Sequence, residues 1–363
     1  MDPRTRNLAK TLSTYCLAAD KEDVISIGAT PAAESLVVAL YEELIRAGAF
    51  PVVNMLPESC DQALLENGKS IHFEHPNPYS LAGVKTLTGT TRICSSTNTR
   101  SLSSVKPERQ AALAKANAPL RKYFSKLKWN VTLFPTQAYA QDADMSLAAF
   151  EDYVYGATFS DENNPVSAWR NLTRKQARLI RNLEGAETVR IVGAGTDLTL
   201  SVKGRTFMNS DGRRNMPSGE VFTGPIETSA EGHISYDFPV CNGGREIDGI
   251  RLVFKKGRVV EAQASKNEAY LKAMLNMDPG ARRLGELGIG TNFKIQRFIK
   301  NILFDEKIGG TVHLALGNSY PETGGRNKSS LHWDMIKDLR RGGELIVDGK
   351  VIQRDGKFLN RIF

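Results

Sequence analysis

Apolar residues run together at Val24-Ile-Ser-Ile-Gly28, recur at helical spacing from Ala32 to Arg46, and run together again at Phe50-Pro-Val-Val-Asn-Met-Leu56 after Gly48. Short apolar runs bounded by turn residues read as buried strands, and apolar positions every three or four residues read as a helix face. The pattern therefore predicts a strand, helix, strand unit. Parallel strands need such a crossover, and crossovers are right-handed, which predicts a doubly wound α/β domain. Its first turn, Gly28-Ala-Thr-Pro31, lacks the glycines of a dinucleotide fingerprint, so no nucleotide is implied.

The segment Lys115 to Lys128 places Leu120, Tyr123, Phe124 and Leu127 at helical spacing and reads as an amphipathic helix with a wet basic face. From Trp129 to Tyr155 the chain changes to polar turns and an aromatic-rich helix, and Asp161-Glu-Asn-Asn-Pro165 reads as a linker. The N-terminal α/β domain is accordingly assigned residues 1–165 and a second domain residues 166–363. A helix from Trp169 to Leu183 leads into alternating runs at Val189–Val192, Leu198–Val202, Gly249–Phe254 and Arg258–Ala262. Turn residues separate these runs at hairpin-like spacing, which predicts a β-rich α+β domain.

A chain of 363 residues exceeds what one hydrophobic core usually serves, in keeping with two domains. No apolar run approaches the ~20 residues of a membrane span. The opening residues reach charges before an apolar stretch of signal-peptide length develops, so the expected location is cytoplasmic. The net charge of +8 is scattered among acidic neighbours, which favours a solvated surface over nucleic acid as partner. Cys16, Cys60, Cys94 and Cys241 form no CxxC pair, and HExxH, GxSxG and P-loop motifs are absent, so no organic cofactor or thiolate metal site is implied.

The informative chemistry lies in the C-terminal part. His313 falls in Gly310-Thr-Val-His-Leu-Ala-Leu-Gly317, which reads as a strand ending in a glycine turn. His332 and Asp334 are two apart in Leu331-His-Trp-Asp-Met-Ile336, and on a strand that spacing sends both side chains to one face. They can share a metal ion, or form a core histidine with a carboxylate partner. Glu220, in Met216-Pro-Ser-Gly-Glu-Val-Phe-Thr, and Glu286, in Leu284-Gly-Glu-Leu-Gly-Ile-Gly, are carboxylates in apolar, glycine-rich settings where burial without a cation is costly. Asp305 and Glu306 follow Ile302-Leu-Phe304; each acidic residue alone also reads as a cap or a surface group. Together, oxygen ligands and two imidazoles suit zinc, cobalt or manganese. The carboxylates exceed the needs of one ion, and two ions about 3.5–4 Å apart are the familiar hydrolytic arrangement, so a two-metal hydrolase is predicted.

Four segments, SGEVFTGP, LGELGIGTN, DEKIGGTVHLALGNSY and GRNKSSLHWDMI, occur in this order between residues 217 and 335. In this combination the chain resembles the thermophilic aminopeptidase T family of metalloexopeptidases. The resemblance implies two divalent ions held by Glu220, Glu286, His313, His332 and Asp334, with Glu306 a sixth candidate. It places Glu286 and Tyr320 at the reaction centre, implies peptide substrates with a free amino terminus, and implies a homodimer. In the family the acidic residue stands closer to the first histidine, whereas here Glu306 is seven residues ahead of His313 and the nominal position holds Ile308. An insertion in the Gly309-Gly310 turn would restore the geometry. In the polar turn before His332, Arg326 and Asn327 are candidates for substrate contact or for a plain loop role. His313, His332 and Asp334 also match the two imidazoles and one carboxylate of mononuclear iron oxygenases, and ring-cleaving dioxygenases of hydroxypyridines resemble the same family. Glutamates at 220 and 286 count against that rival; a non-catalytic binding protein on the same fold is the third alternative.

Overall fold

The computed structural model describes residues 1–124, 126–242, 245–359 and 362–363. The chain forms two compact units, Met1–Ala168 with Gly212–Pro217, and Trp169–Asp211 with Ser218–Phe363. In the first unit, strands Val24–Ala29, Phe50–Met55, Gly89–Cys94 and Lys128–Leu133 run parallel, and Asn215–Met216 adds a short parallel strand. Val24–Ala29 lies between Phe50–Met55 and Gly89–Cys94, so the strand order reverses at the first strand, as a doubly wound sheet requires. Helix Glu34–Arg46 buries Leu36, Val37, Leu40 and Leu44, a stripe at the period of a helix, while Ile25 and Ile27 of the neighbouring strand are fully buried.

Two sequence expectations in this unit are corrected. The single helix from Lys115 to Lys128 is instead a helix Pro107–Ala116, a second helix Ala118–Phe124, and the start of a strand at Lys128. Asn117 leaves helical geometry between them, and Pro119 has no N–H to continue the ladder of the preceding turn. Nor is the region after Trp129 all turn and helix, because Lys128–Leu133 is a sheet strand. Two of its three buried positions are polar, and this hides its alternation: Asn130 is buried and its amide donates to the carbonyl of Arg214 at 2.9 Å, Thr132 is fully buried, and only Leu133 is apolar.

Among the described residues the second unit holds three antiparallel sheets, a two-stranded pair of Val240–Asn242 with Arg245–Ile247 and two principal ones. The larger has eight strands, with Thr188–Gly193 and Thr196–Ser201 at its middle and Arg251–Lys255 and Arg258–Gln263 along one side. The smaller has five strands in the order His332–Asp338, Thr311–Gly317, Leu284–Gly290, Glu220–Thr223 and Met208–Ser210. One hydrophobic core joins them: Ile191, Leu198, Leu252 and Phe254 of the larger sheet pack in the same cluster as Val221, Leu287, Ile289, Val312, Leu314, Trp333 and Met335 of the smaller. The α/β plus α+β organisation expected from the sequence is the one observed. Among the described residues no helix is long and apolar enough to cross a membrane.

Gln176, fully buried on helix Pro165–Leu183, donates from Nε2 to the carbonyls of Ser210 and Glu220 at 3.1 Å each and to Thr291 Oγ1 at 3.0 Å. One side chain thus ties the helix to the strand that carries Glu220. Replacing it by leucine leaves those acceptors facing an apolar group, so Gln176→Leu is expected to destabilise the metal-free protein by ~1–3 kcal/mol in denaturant unfolding. A variant as stable as the wild type would show that the tie contributes nothing.

Candidate metal centre

In an antiparallel sheet, directly paired residues share a face and successive residues alternate between faces. The register pairs Glu220 with Gly290, Glu286 with Ala315, Gly288 with His313, Asp334 with Ala315 and His332 with Gly317. Glu220, Glu286, His313, His332 and Asp334 therefore all stand on one face, and the intervening Val221, Leu287, Val312, Leu314, Trp333 and Met335 turn to the core. Glycines make the room. A Cβ at Gly288 would lie 1.9 Å from Cε1 of His313, so only glycine lets the imidazole lie across the neighbouring strand.

Glu286 is the pivot of the cluster. One of its oxygens is 3.7 Å from His313 Nε2 and the other 3.3 Å from His332 Nε2. Glu220 Oε2 lies 3.4 Å from His313 Nε2, and Asp334 Oδ2 3.6 Å from His332 Nε2. Three groups offer ligand atoms within 4.8 Å of one another: Glu220, Glu286 and His313; Glu286, His332 and Asp334; and Glu306, His313 and Asp334. His332 Nδ1 lies 2.9 Å from the carbonyl of Asn318; in the tautomer that donates there, Nε2 presents its lone pair to the cluster. Glu220 Oε2 and Asp334 Oδ1 are buried with no hydrogen-bond partner among the described residues, and so is His313 Nδ1. Buried oxygens left unpaired are costly unless a cation meets them, and the donor set is one that divalent ions take, so the residues fit a metal.

The electrostatics follow from this crowding. Burial opposes the charge on Glu286, yet its bonds to His313 and His332 bring its pKa down to about 2. Burial likewise opposes charge on His332, but Glu286, Asp334 and the Asn318 carbonyl push it up to about 9. His313 is raised in the same way by Glu286 and Glu220 against its burial. Asp334 is raised, first by burial and then by repulsion from Glu286, which outweigh the attraction of the imidazoles.

Glu306 reaches the cluster despite its longer spacing from His313, because Gly310, at φ +92°, turns the chain into the His313 strand. Tyr320 stands at the rim, partly exposed, with its ring edge-on to His332 at 5.3 Å and to Phe222 at 5.5 Å. Burial and the carboxylates of Glu286, Asp334 and Glu220 raise its hydroxyl pKa. Asn327 is buried and donates from Nδ2 to the carbonyls of Gly280 and Gly317, a structural tie, and the Arg326 N–H donates to Glu227. Lys307 escaped the sequence reading. Its side chain is fully buried, with Nζ 3.0 Å from Glu220 Oε1 and ion-paired with Glu306. The available signal was a lysine between the apolar Phe304 and Ile308-Gly309-Gly310, where a free ammonium could not be buried.

Fold and site together give a candidate metal centre, a largely buried face of carboxylates and imidazoles on an antiparallel sheet. A model of the thermophilic metalloprotease (M29) family matches residues 1–358, and the chain belongs to that family. It is 30% identical over 264 residues to "Aminopeptidase 2" of Geobacillus stearothermophilus, an alignment that covers 63% of this chain and 62% of the relative's length. The solved structure of wild-type AmpT from Thermus thermophilus matches 98% of this chain and 99% of its own at a TM-score of 0.86 and 23% identity. A 2,5-dihydroxypyridine dioxygenase from Pseudomonas putida shares the fold more distantly, at a TM-score of 0.59 and 15% identity over 99% of this chain and 98% of its own.

Two outcomes are expected of the centre. With its pKa raised to about 9, His332 is protonated in the metal-free protein at neutral pH, so a metal must displace that proton. Apparent metal affinity should fall about tenfold per pH unit on acidification below that value, and calorimetry in buffers of different ionisation enthalpy should show proton release; no release would exclude His332 as a ligand. Lys307→Met removes a cation that shares Glu220 and Glu306 with any bound ion. Divalent-ion affinity, measured by chelator competition, should rise by roughly tenfold or more while the metal-free protein loses stability.

Proposed function

We propose that this chain is a metal-dependent aminopeptidase that removes amino-terminal residues from peptides, with two divalent ions held by Glu220, Glu286, His313, His332, Asp334 and Glu306. The observation that carries the reading is the pair of ligand triads that share Glu286, each with a buried carboxylate oxygen that has no hydrogen-bond partner among the described residues. Membership of the metalloprotease family and the relative named as an aminopeptidase support it. Ions bound there would polarise a peptide carbonyl and lower the pKa of a water toward neutrality.

The chain's own residues account for the remaining steps. Glu286, kept ionised by its two imidazoles, accepts a proton from the attacking water and passes it to the departing amine. Tyr320, whose raised pKa keeps its hydroxyl protonated, donates a hydrogen bond to the oxygen that becomes negative as the carbonyl is attacked. A neutral substrate amine could ligate one ion or meet a nearby carboxylate, and either contact would direct cleavage to the first bond. The same reading includes zinc, cobalt or manganese as the ion, a homodimer, and a cytoplasmic location. The iron-oxygenase alternative needs only His313, His332 and Asp334, and leaves the buried Glu220 and Glu286 without a task.

Metal-stripped protein should regain release of amino-terminal residues from amino-acid amides and short peptides when zinc, cobalt or manganese is added. At saturating metal, Glu286→Gln should lower kcat per bound ion, counted by elemental analysis, by ~10²–10⁴, and it should also weaken metal affinity because both triads share this carboxylate. Undiminished turnover in that variant would remove Glu286 as the base. No hydrolysis by folded, metal-loaded wild type would end the aminopeptidase reading.

A further inference from the structure

A cavity of about 170 Å³ opens beside His332 and Asp334, walled by Phe238, Val240, Phe298 and Ile302. Ile336 joins them from the sheet, since it follows His332 and Asp334 at strand alternation and so stands on the same face. Phe238 and Phe298 stack at 4.8 Å with planes 7° apart and make one flat apolar wall. Ile302 lies at the cavity with 49% of its surface open to water, an apolar area that an entering apolar group would cover. The space is smaller than the ~300–1,000 Å³ of pockets that enclose whole drug-sized ligands, and suits a single side chain.

The charges around the cavity select against ionised side chains. Asp305 belongs to its wall but is 1% exposed, and its carboxylate accepts from the N–H groups of Ile299 at 2.8 Å and Asn301 at 2.6 Å. It is therefore committed to the backbone, and the other carboxylate of the wall, Asp334, is committed to the proposed metal centre. A charged side chain of either sign would leave water for walls that are mostly phenyl and aliphatic.

We propose that this cavity receives the side chain of the substrate's amino-terminal residue, and that the protein selects peptides beginning with leucine, methionine or phenylalanine. The proposal rests on the aminopeptidase reading, because it is the scissile bond at the metal centre that brings the first side chain next to His332 and Asp334. Alanine and glycine leave the apolar walls wet, and charged residues lose more hydration than these walls return. Each methylene placed in an apolar pocket is worth about tenfold or more in kcat/KM, so the preference is measurable.

The test is kcat/KM of the metal-loaded full chain on the amides of leucine, methionine, phenylalanine, alanine, glycine, lysine and glutamate. The first three should exceed alanine by at least about tenfold, with lysine and glutamate below alanine. Ile302→Trp, at a position exposed enough that folding is not at stake, fills the cavity and should lower the leucine-to-alanine ratio by at least about tenfold. A ratio that does not move, or a wild type that favours charged or the smallest residues, overturns the pocket and leaves the aminopeptidase reading standing. The wild-type panel decides the matter even if the variant does not accumulate. Hydrolysis of none of the amides overturns the aminopeptidase reading and the pocket with it.

Discussion

Glu220, Glu286, Glu306 and Asp334 converge on one largely buried sheet face, and like charges at about 4 Å repel by ~4 kcal/mol even at an effective dielectric of 20. Such a group holds together only where cations meet it. Two imidazoles and the Lys307 ammonium supply part of that balance, and the proposed divalent ions would supply the rest. The frame must also be stiff enough not to spread apart under the repulsion. Strands locked on their other face into a core of Val221, Leu287, Ile289, Val312, Leu314 and Met335 provide that stiffness, and Gln176 braces the Glu220 strand from a helix.

The first unit shows a contrasting use of polar side chains. Doubly wound sheets bind ligands at the carboxyl ends of their strands where the order reverses, here after Ala29 and Cys94. Those ends are closed by their own hydrogen bonds: the Thr30 hydroxyl donates to the carbonyl of Ser95 at 2.6 Å, and Glu58 accepts from the N–H of Thr97 at 2.8 Å and from the Ser96 hydroxyl. These bonds hold the Glu58 carboxyl below its usual pKa in spite of its partial burial.

A fold shared with both an aminopeptidase and a dioxygenase cannot by itself separate hydrolysis from oxygen chemistry. What separates them is which side chains the sheet face carries. Two imidazoles and one carboxylate serve either chemistry, whereas Glu220 and Glu286 add the oxygens that let a second triad form around the first. In the proposed pocket the first side chain would meet the stacked Phe238 and Phe298, which come from segments sixty residues apart, beside His332 and Asp334 of one triad.

Local pattern was enough for the elements whose alternation is unbroken. The strand, helix, strand opening, the hairpins from Val189 onward, and the common face of His332 and Asp334 all follow from a period of two or of 3.6 residues, which each short segment carries by itself. The strand Lys128–Leu133 was hidden because two of its three buried positions are the polar Asn130 and Thr132, and the amide of Asn130 is met by Arg214, far along the chain. The sequence also named the acidic and histidine residues of the centre, through the oddity of carboxylates in apolar surroundings and through resemblance. Only tertiary structure decided that Lys307 is their internal cation, that Glu306 reaches them across a longer turn, and that a side-chain-sized cavity adjoins His332. Those facts depend on strand register and on segments far apart along the chain meeting in space, and register is set by the whole sheet and its core, not by any one strand.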